Sequence, residues 1–332
     1  MMRMHLAAVA AVAALAGAAA GYLLSPLPGT AGTEHVSFAP VKTRHVALNM
    51  PAHDRAKAAA LGYDLFDVDP DEGEIASLPK GSQALVWVGN TTCGGFGMTE
   101  DAFADTVRRL ARNPRVYGWY LSDEPNPAEC PDIVAQIRRR ADVIHRYAPG
   151  QKAFASLTDW TMTPLRPSAT HLDLIGLDPY PCRTDDRGCD LRAIDRMVGQ
   201  AVKAGFPKSM MVPVFQTFGQ SCNQGERNWR LPTAGQLRSI LERWNALLPT
   251  PAFDISYSWG RQSEWACPTL ADSPALQAVM KEHNNRRLGP APNAPAPPPR
   301  NVPPAPATPP RDAPPAPPRA PAETPSPCTT VS

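Results

Sequence analysis

Eight short apolar runs recur through the middle of this chain, and their order leaves few folds open. They cover residues 45–50, 63–68, 84–89, 116–121, 152–157, 172–177, 210–215 and 253–258. Most are continuous rather than alternating, as parallel strands covered on both faces require. Helix-like segments stand between them. Residues 101–113 carry Phe103, Val107 and Leu110 at helical spacing ahead of Pro114, and Ile133, Ile137, Ala141 and Ile144 share one face of the next helix. Thr233 with Gln236 forms a capping box before Leu237, and Ser273-Pro274 opens the last helix. The helices after the second and fifth runs are weak: 74–78 is short and 159–168 is interrupted by two prolines. Strand and helix alternating eight times predict an α/β fold, a single (β/α)8 TIM barrel over residues 34–287. A doubly wound sheet would need a glycine-rich turn after its first strand, and Met50-Pro51-Ala52-His53 is not one.

Both ends differ in composition from this unit. Residues 6–24 form an alanine-rich apolar run behind Arg3 and His5, so residues 1–31 read as a signal peptide or an N-terminal anchor. Residues 288–332 hold 18 of the 40 prolines and almost no large apolar side chain, the composition of a disordered Pro/Ala-rich tail. The expected location is secreted or cell-surface, with membrane contact only through the N-terminal segment.

The 33 basic and 31 acidic residues leave +2 with no block of one sign, so a nucleic-acid partner is not expected. Six cysteines lie in the central unit: Cys93, Cys130, Cys182, Cys189, Cys222 and Cys267. An even count in an exported domain favours disulfides, and no pair has the spacing of a metal site. Cys182 and Cys189 flank a short polar loop and are the most plausible local pair; sequence does not assign the two remaining pairs, although chain order favours Cys93 with Cys130 and Cys222 with Cys267.

The run at 116–121 continues as Gly118-Trp119-Tyr120-Leu121-Ser122-Asp123-Glu124-Pro125. Proline ends the strand, which places two carboxylates at its C-terminal end, where barrel enzymes carry their chemistry. The other strand ends are similarly polar: Asn49, Asp67, Asn90, Thr158, Asp178-Pro179-Tyr180, Gln216 and Trp259. Trp87, Trp119, Tyr120, Trp160, Tyr180, Phe218, Trp229 and Trp265 would rim the same mouth. Carboxylates beside flat aromatic rings suit an oligo- or polysaccharide. Trp87 and Trp119, inside strands, read first as packing. No GxSxG, HExxH or P-loop pattern is present, and neither metal nor cofactor is expected.

The ordered motifs GWYLSDEP, LIGLDPYP, VPVFQTFG and SYSWG resemble the barrels of secreted glycoside hydrolases, across most of residues 116–260. In the large retaining clan the fourth strand ends Asn-Glu-Pro, so the resemblance implies Glu124 as acid/base, Asp123 in place of the Asn, and Trp259 as a sugar platform. The seventh strand departs: Gln216 stands where that clan has its nucleophilic Glu, and an amide cannot attack an anomeric carbon. Three routes stay open. Asp178 could act as base opposite Glu124 in an inverting pair, the substrate could supply its own N-acetyl nucleophile, or the site could bind sugar without chemistry. The expected function is hydrolysis of a glycosidic bond in an extracellular or cell-wall polysaccharide by a monomer. Glu124 and Asp178 are its catalytic residues, and Asp67, Asn90, Asp123, Tyr180, Gln216 and Trp259 bind substrate. The alternative is a non-catalytic carbohydrate-binding barrel.

A proline-rich coil has no core contacts to lose. Deleting residues 288–332 should therefore leave the melting temperature of the barrel nearly unchanged, as differential scanning calorimetry would report.

Overall fold

Chains whose strands are apolar on both faces must cover both, and this one does so by wrapping. The computed structural model describes residues 42–89, 91–92, 95–158, 161–222, 227–262 and 265–286. Eight parallel strands follow in order: β1 (Arg44–Ala47), β2 (Leu65–Val68), β3 (Gln83–Trp87), β4 (Val116–Asp123), β5 (Lys152–Leu157), β6 (Leu174–Leu177), β7 (Met211–Gln216) and β8 (Phe253–Tyr257). Each is followed by a helix: α1 (Arg55–Ala60), α2 (Glu72–Ser77), α3 (Glu100–Leu110), α4 (Ile133–Tyr147), α5 (Pro167–Thr170), α6 (Arg192–Lys203), α7 (Ala234–Leu247) and α8 (Pro274–Asn284). The ladder runs from β2 through β3 to β8 in sequence and then to β1, so the sheet is a nearly closed (β/α)8 barrel. The capping box at Thr233–Gln236 forms, Ser273 caps α8, and α2 and α5 are short for the reasons the sequence gives. Among the described residues no helix is long and apolar enough to cross a membrane. The signal or anchor segment and the Pro-rich tail lie outside the described residues.

Strand periodicity sorts the core into two layers. Leu65, Leu85, Tyr120, Phe154, Val212, Val214, Phe253 and Ile255 fill the barrel interior. Val86, Trp119, Ala153, Ile175 and Phe215 face outward, toward Phe103, Ile137, Ile194, Ile240 and Met280 of the helices. Trp119 is fully buried and donates its Nε1 proton to Gln151 Oε1 at 2.7 Å, a packing role.

The β1–β2 seam lacks a regular ladder and is held partly by side chains. Asp64 N donates to His45 O (3.1 Å), His45 N to Asp64 Oδ1 (3.0 Å) and Asn49 N to Asp67 Oδ2 (3.0 Å). Across the adjacent joint, Gly260 lies so close to the Asn49 carbonyl that a Cβ would not fit. At the opposite end of the barrel from the strand C-termini, Asp254 of β8 binds His45 Nδ1 of β1 (2.9 Å) and His283 Nε2 of α8 (2.8 Å). All three residues are buried. Burial alone would raise the Asp254 carboxyl, but the two imidazoles outweigh it and bring it down to about 2. Burial likewise works against a charged His45, and the Asp254 charge and hydrogen bond overcome it, so His45 lies above its ordinary value.

Cys182–Cys189 is bonded as expected, and Cys222–Cys267, a pairing the sequence left unassigned, is bonded as chain order favours. Cys130 is also in a disulfide, and Cys93 lies outside the described residues.

The signs of these shifts fix a pH dependence. The Asp254 share of stability is present above the ordinary carboxylate range and is lost as pH falls through about 2. The His45 share is complete below its unfolded value of 6.5 and disappears as pH rises through its elevated folded value. Denaturant midpoints should therefore be higher at about pH 6 than at about pH 9, and His45→Asn should shrink that difference.

Candidate active site at the strand C-termini

A run of four carboxyl groups occupies the mouth, each delivered by a strand end. Asp67 belongs to β2, Asp123 ends β4, Glu124 follows it, and Asp178 follows β6. In a regular strand Asp123 and Glu124 would face opposite ways. Two distortions reconcile them: the β4–β5 register shifts between Tyr120 and Ser122, and Glu124 takes a left-handed backbone with φ 46°. Its amide donates to Ser156 O at 3.0 Å, which fixes the turn before Pro125.

Glu124 and Asp178 are within hydrogen-bonding reach of each other. Asp178 is 8% exposed, and its Oδ1 is buried without a hydrogen-bond partner. Burial, then the charges of Glu124 and Asp123, push its carboxyl well above the usual range. Glu124 is raised too, first by burial and then by the Asp123 charge, while the Asp178 hydrogen bond pulls it back. Glu124 and Asp123 keep solvent-facing edges, so water screens them and the deeper Asp178 is the more strongly perturbed. The pair therefore tends to hold one proton between two carboxyls. Asp123 is raised by burial and accepts the Tyr120 hydroxyl at 2.7 Å.

Beside the pair opens a cleft of about 350 Å³, lined by Asn49, Asp67, Asp69, Arg55, Glu74 and Asp123 with Trp87, Tyr120 and Tyr257 as its aromatic wall. Burial pushes Asp67 up to about 6; its Oδ2 takes the Asn49 amide and its Oδ1 is buried and unpartnered. Arg55 is ion-paired to Glu74. Tyr180 stacks on Tyr257 (centroids 5.6 Å, 29° between planes) and meets Phe218 and Trp229 edge-on.

Two expected sugar contacts are elsewhere. Gln216 is fully buried: Oε1 accepts the Cys182 amide (2.8 Å), and Nε2 donates to Cys182 O and Arg230 O (both 3.0 Å). It fastens the loop carrying Asp178 and Tyr180 rather than meeting substrate. Trp259 is likewise fully buried. Its Nε1 donates to Asp54 Oδ2 (2.9 Å) and its ring packs edge-on against Tyr63, so no face is left for a sugar. Asn90 and Trp160 lie outside the described residues.

Tyr257, Arg55 and Glu74 were not legible as site residues. Tyr257 shares the inward face of β8 with Phe253 and Ile255, a period-two signal that could have found it. Arg55 and Glu74 sit on helices, where inspection of strand ends does not look.

No protein-family model and no curated protein matches the sequence. Solved structures do match the fold. A beta-glucuronidase from Ruminococcus gnavus is similar at TM-score 0.51 and 11% identity, over 74% of this chain and 50% of that one. A beta-galactosidase from the psychrophilic Marinomonas ef1 is similar at TM-score 0.52 and 12% identity, over 73% and 59%. This chain thus spans about half the length of the glucuronidase chain, and the likeness establishes a fold shared with glycoside hydrolases.

Gln216→Glu would remove two donated hydrogen bonds and set a carboxylate against two buried carbonyls. Chemical denaturation should show a loss on the order of 3 kcal/mol, with no gain in hydrolysis.

Proposed function

We propose that the chain hydrolyses glycosidic bonds in an extracytoplasmic oligo- or polysaccharide whose sugars carry 2-acetamido groups. The observation that carries this reading is the Glu124–Asp178 pair, two carboxyls in contact at the C-terminal mouth of the barrel. An inverting pair needs roughly 6.5–9.5 Å between carboxyls to admit a water, so contact between them argues against inversion. With Gln216 committed to backbone groups, β7 supplies no nucleophile either. A substrate that brings its own nucleophile fits what remains.

The proton that the pair shares rests on Asp178, the more strongly raised carboxyl. It crosses their hydrogen bond to Glu124, the more accessible partner, which passes it to the leaving oxygen as the glycosidic C–O bond breaks and leaves Asp178 ionised. The acetamido oxygen forms the new bond to the anomeric carbon, and its N–H hydrogen-bonds to Asp178, whose Oδ1 is otherwise unpartnered. Water then attacks from the face the leaving group vacated, returns a proton to Glu124, and restores the acetamide. The net configuration is retained. Asp178, held between Glu124 and the amide nitrogen, positions the nucleophile.

Reducing-end assays on N-acetylated oligosaccharides test the reading. Glu124→Gln should lower kcat by about 10²-fold or more. The rate should fall as pH rises through the elevated upper pKa of the pair, because the proton to be donated is then gone. Proton NMR of the first product should show retention on acetamido sugars and no turnover of neutral glucans. Binding without turnover on every saccharide, weakened by Tyr257→Ala, would favour the non-catalytic sugar-binding barrel, a reading that the committed amide of Gln216 also supports.

A further inference from the structure

A buried polar cluster stands at the end of the barrel away from the mouth, in a layer where the fold calls for apolar side chains. Phe253 and Ile255 of β8 point into the barrel, so Asp254 between them points outward, toward the helices. That layer is otherwise filled by residues such as Phe215, Ile240 and Met280. His45 is the register partner of Asp254 on β1. His283 of α8 meets both: it bonds the Asp254 carboxylate, and its ring lies edge-on to that of His45 with centroids 5.4 Å apart. The three residues are 5%, 2% and 9% exposed in chain order. Apolar side chains of similar volume would stabilise such a position at least as well. Buried charge is kept where it is paired or where it coordinates a metal.

The donor atoms fit the second case. His45 Nδ1, an Asp254 carboxylate oxygen and His283 Nε2 all lie within 4.8 Å of one another. Among the described residues no other three His, Cys, Asp or Glu side chains converge in this way. Bonds of about 2.1 Å to Zn²⁺ set tetrahedral donors about 3.4 Å apart, so small rotations of the two rings would bring all three to one ion. Two imidazoles with one carboxylate suit Zn²⁺, whereas Ca²⁺ and Mg²⁺ take oxygen donors. Each ligand comes from a different element, with 209 residues between His45 and Asp254 and 29 between Asp254 and His283. No motif spacing in the sequence could therefore announce the group.

We infer that His45, Asp254 and His283 form a zinc site that clamps β1, β8 and α8 together at the base of the barrel. The ion takes the place of the protons that bridge the carboxylate to the two rings, and those protons pass to solvent. The hydrogen-bonded cluster and its pH dependence belong to the metal-free chain. All three ligands stand at the opposite end of the fold from Glu124 and Asp178, so the site serves stability and is independent of the reading of the mouth.

The test uses the full chain, dialysed against a chelator and with its free thiols alkylated. Calorimetric titration with ZnCl₂ should show one ion bound per chain with a Kd of about 10 µM or tighter. At about 100 times that Kd, Zn²⁺ should raise the melting temperature by about 5 °C, and Ca²⁺ and Mg²⁺ should not. Five of the seven histidines lie outside the cluster. A variant combining His5→Asn, His35→Asn, His53→Asn, His145→Asn and His171→Asn should bind Zn²⁺ as the native chain does. His283→Gln should weaken binding at least about 100-fold, the upper end of what losing even an outer-shell partner costs. Should His283→Gln not fold, the native titration and the five-histidine variant decide between them, because that variant leaves only the two cluster imidazoles. Failure of the native chain to bind Zn²⁺ stoichiometrically, loss of binding in the five-histidine variant, or undiminished binding by folded His283→Gln overturns the inference.

Discussion

Closure of the barrel is the constraint on which the rest depends, and it is weakest between β1 and β2. Most neighbouring strands are joined by regular ladders, whereas this joint relies on Asp64 and Asp67 accepting main-chain amides. The neighbouring β8–β1 joint is reinforced from below, where Asp254 of β8 grips His45 on β1 and His283 on α8. Three buried ionisable groups are costly to desolvate, and removing one partner would leave the others uncompensated. The arrangement therefore specifies which strand and which helix meet. Asp67 serves both halves of the molecule: its Oδ2 helps close the barrel, and the residue also lines the cleft.

The mouth runs against the logic of the core. Four carboxyls with raised pKa values are poor for stability, above all Asp67 and Asp178, each with a buried oxygen that lacks a partner. Such clusters accumulate where ligands or reactions supply the missing partners. The surroundings are correspondingly firm. Gln216, the Cys182–Cys189 disulfide and the Tyr180–Tyr257 stack tie the β6, β7 and β8 sides of the mouth together. Asp178 is thereby set against Glu124 before any substrate arrives.

The fold was legible because apolar runs and helix caps are local signals, and all eight runs became strands. Glu124 and Asp178 were visible for a related reason: a proline that ends a strand also marks the residue at its end. Gln216 and Trp259 show the limit. Sequence gave their places on β7 and beyond β8, but not the partners that claimed their polar atoms: the Cys182 and Arg230 backbone for one, Asp54 for the other. Those partners lie 14 to 34 residues from Gln216 and 205 residues from Trp259, and no periodicity connects them. The approach of Glu124 to Asp178 was equally hidden, because neither the register shift beside β4 nor the left-handed backbone at Glu124 has a local signal.

The left-handed backbone at Glu124 has an evolutionary consequence. A glutamate held at φ 46° costs on the order of 1 kcal/mol relative to a residue at ease there. Glycine or asparagine would relieve that strain and remove the carboxyl together. A lineage drifting under selection for thermal robustness alone would thus be drawn toward losing this carboxyl at this one codon. Persistence of glutamate there in close relatives would record selection for the carboxyl itself.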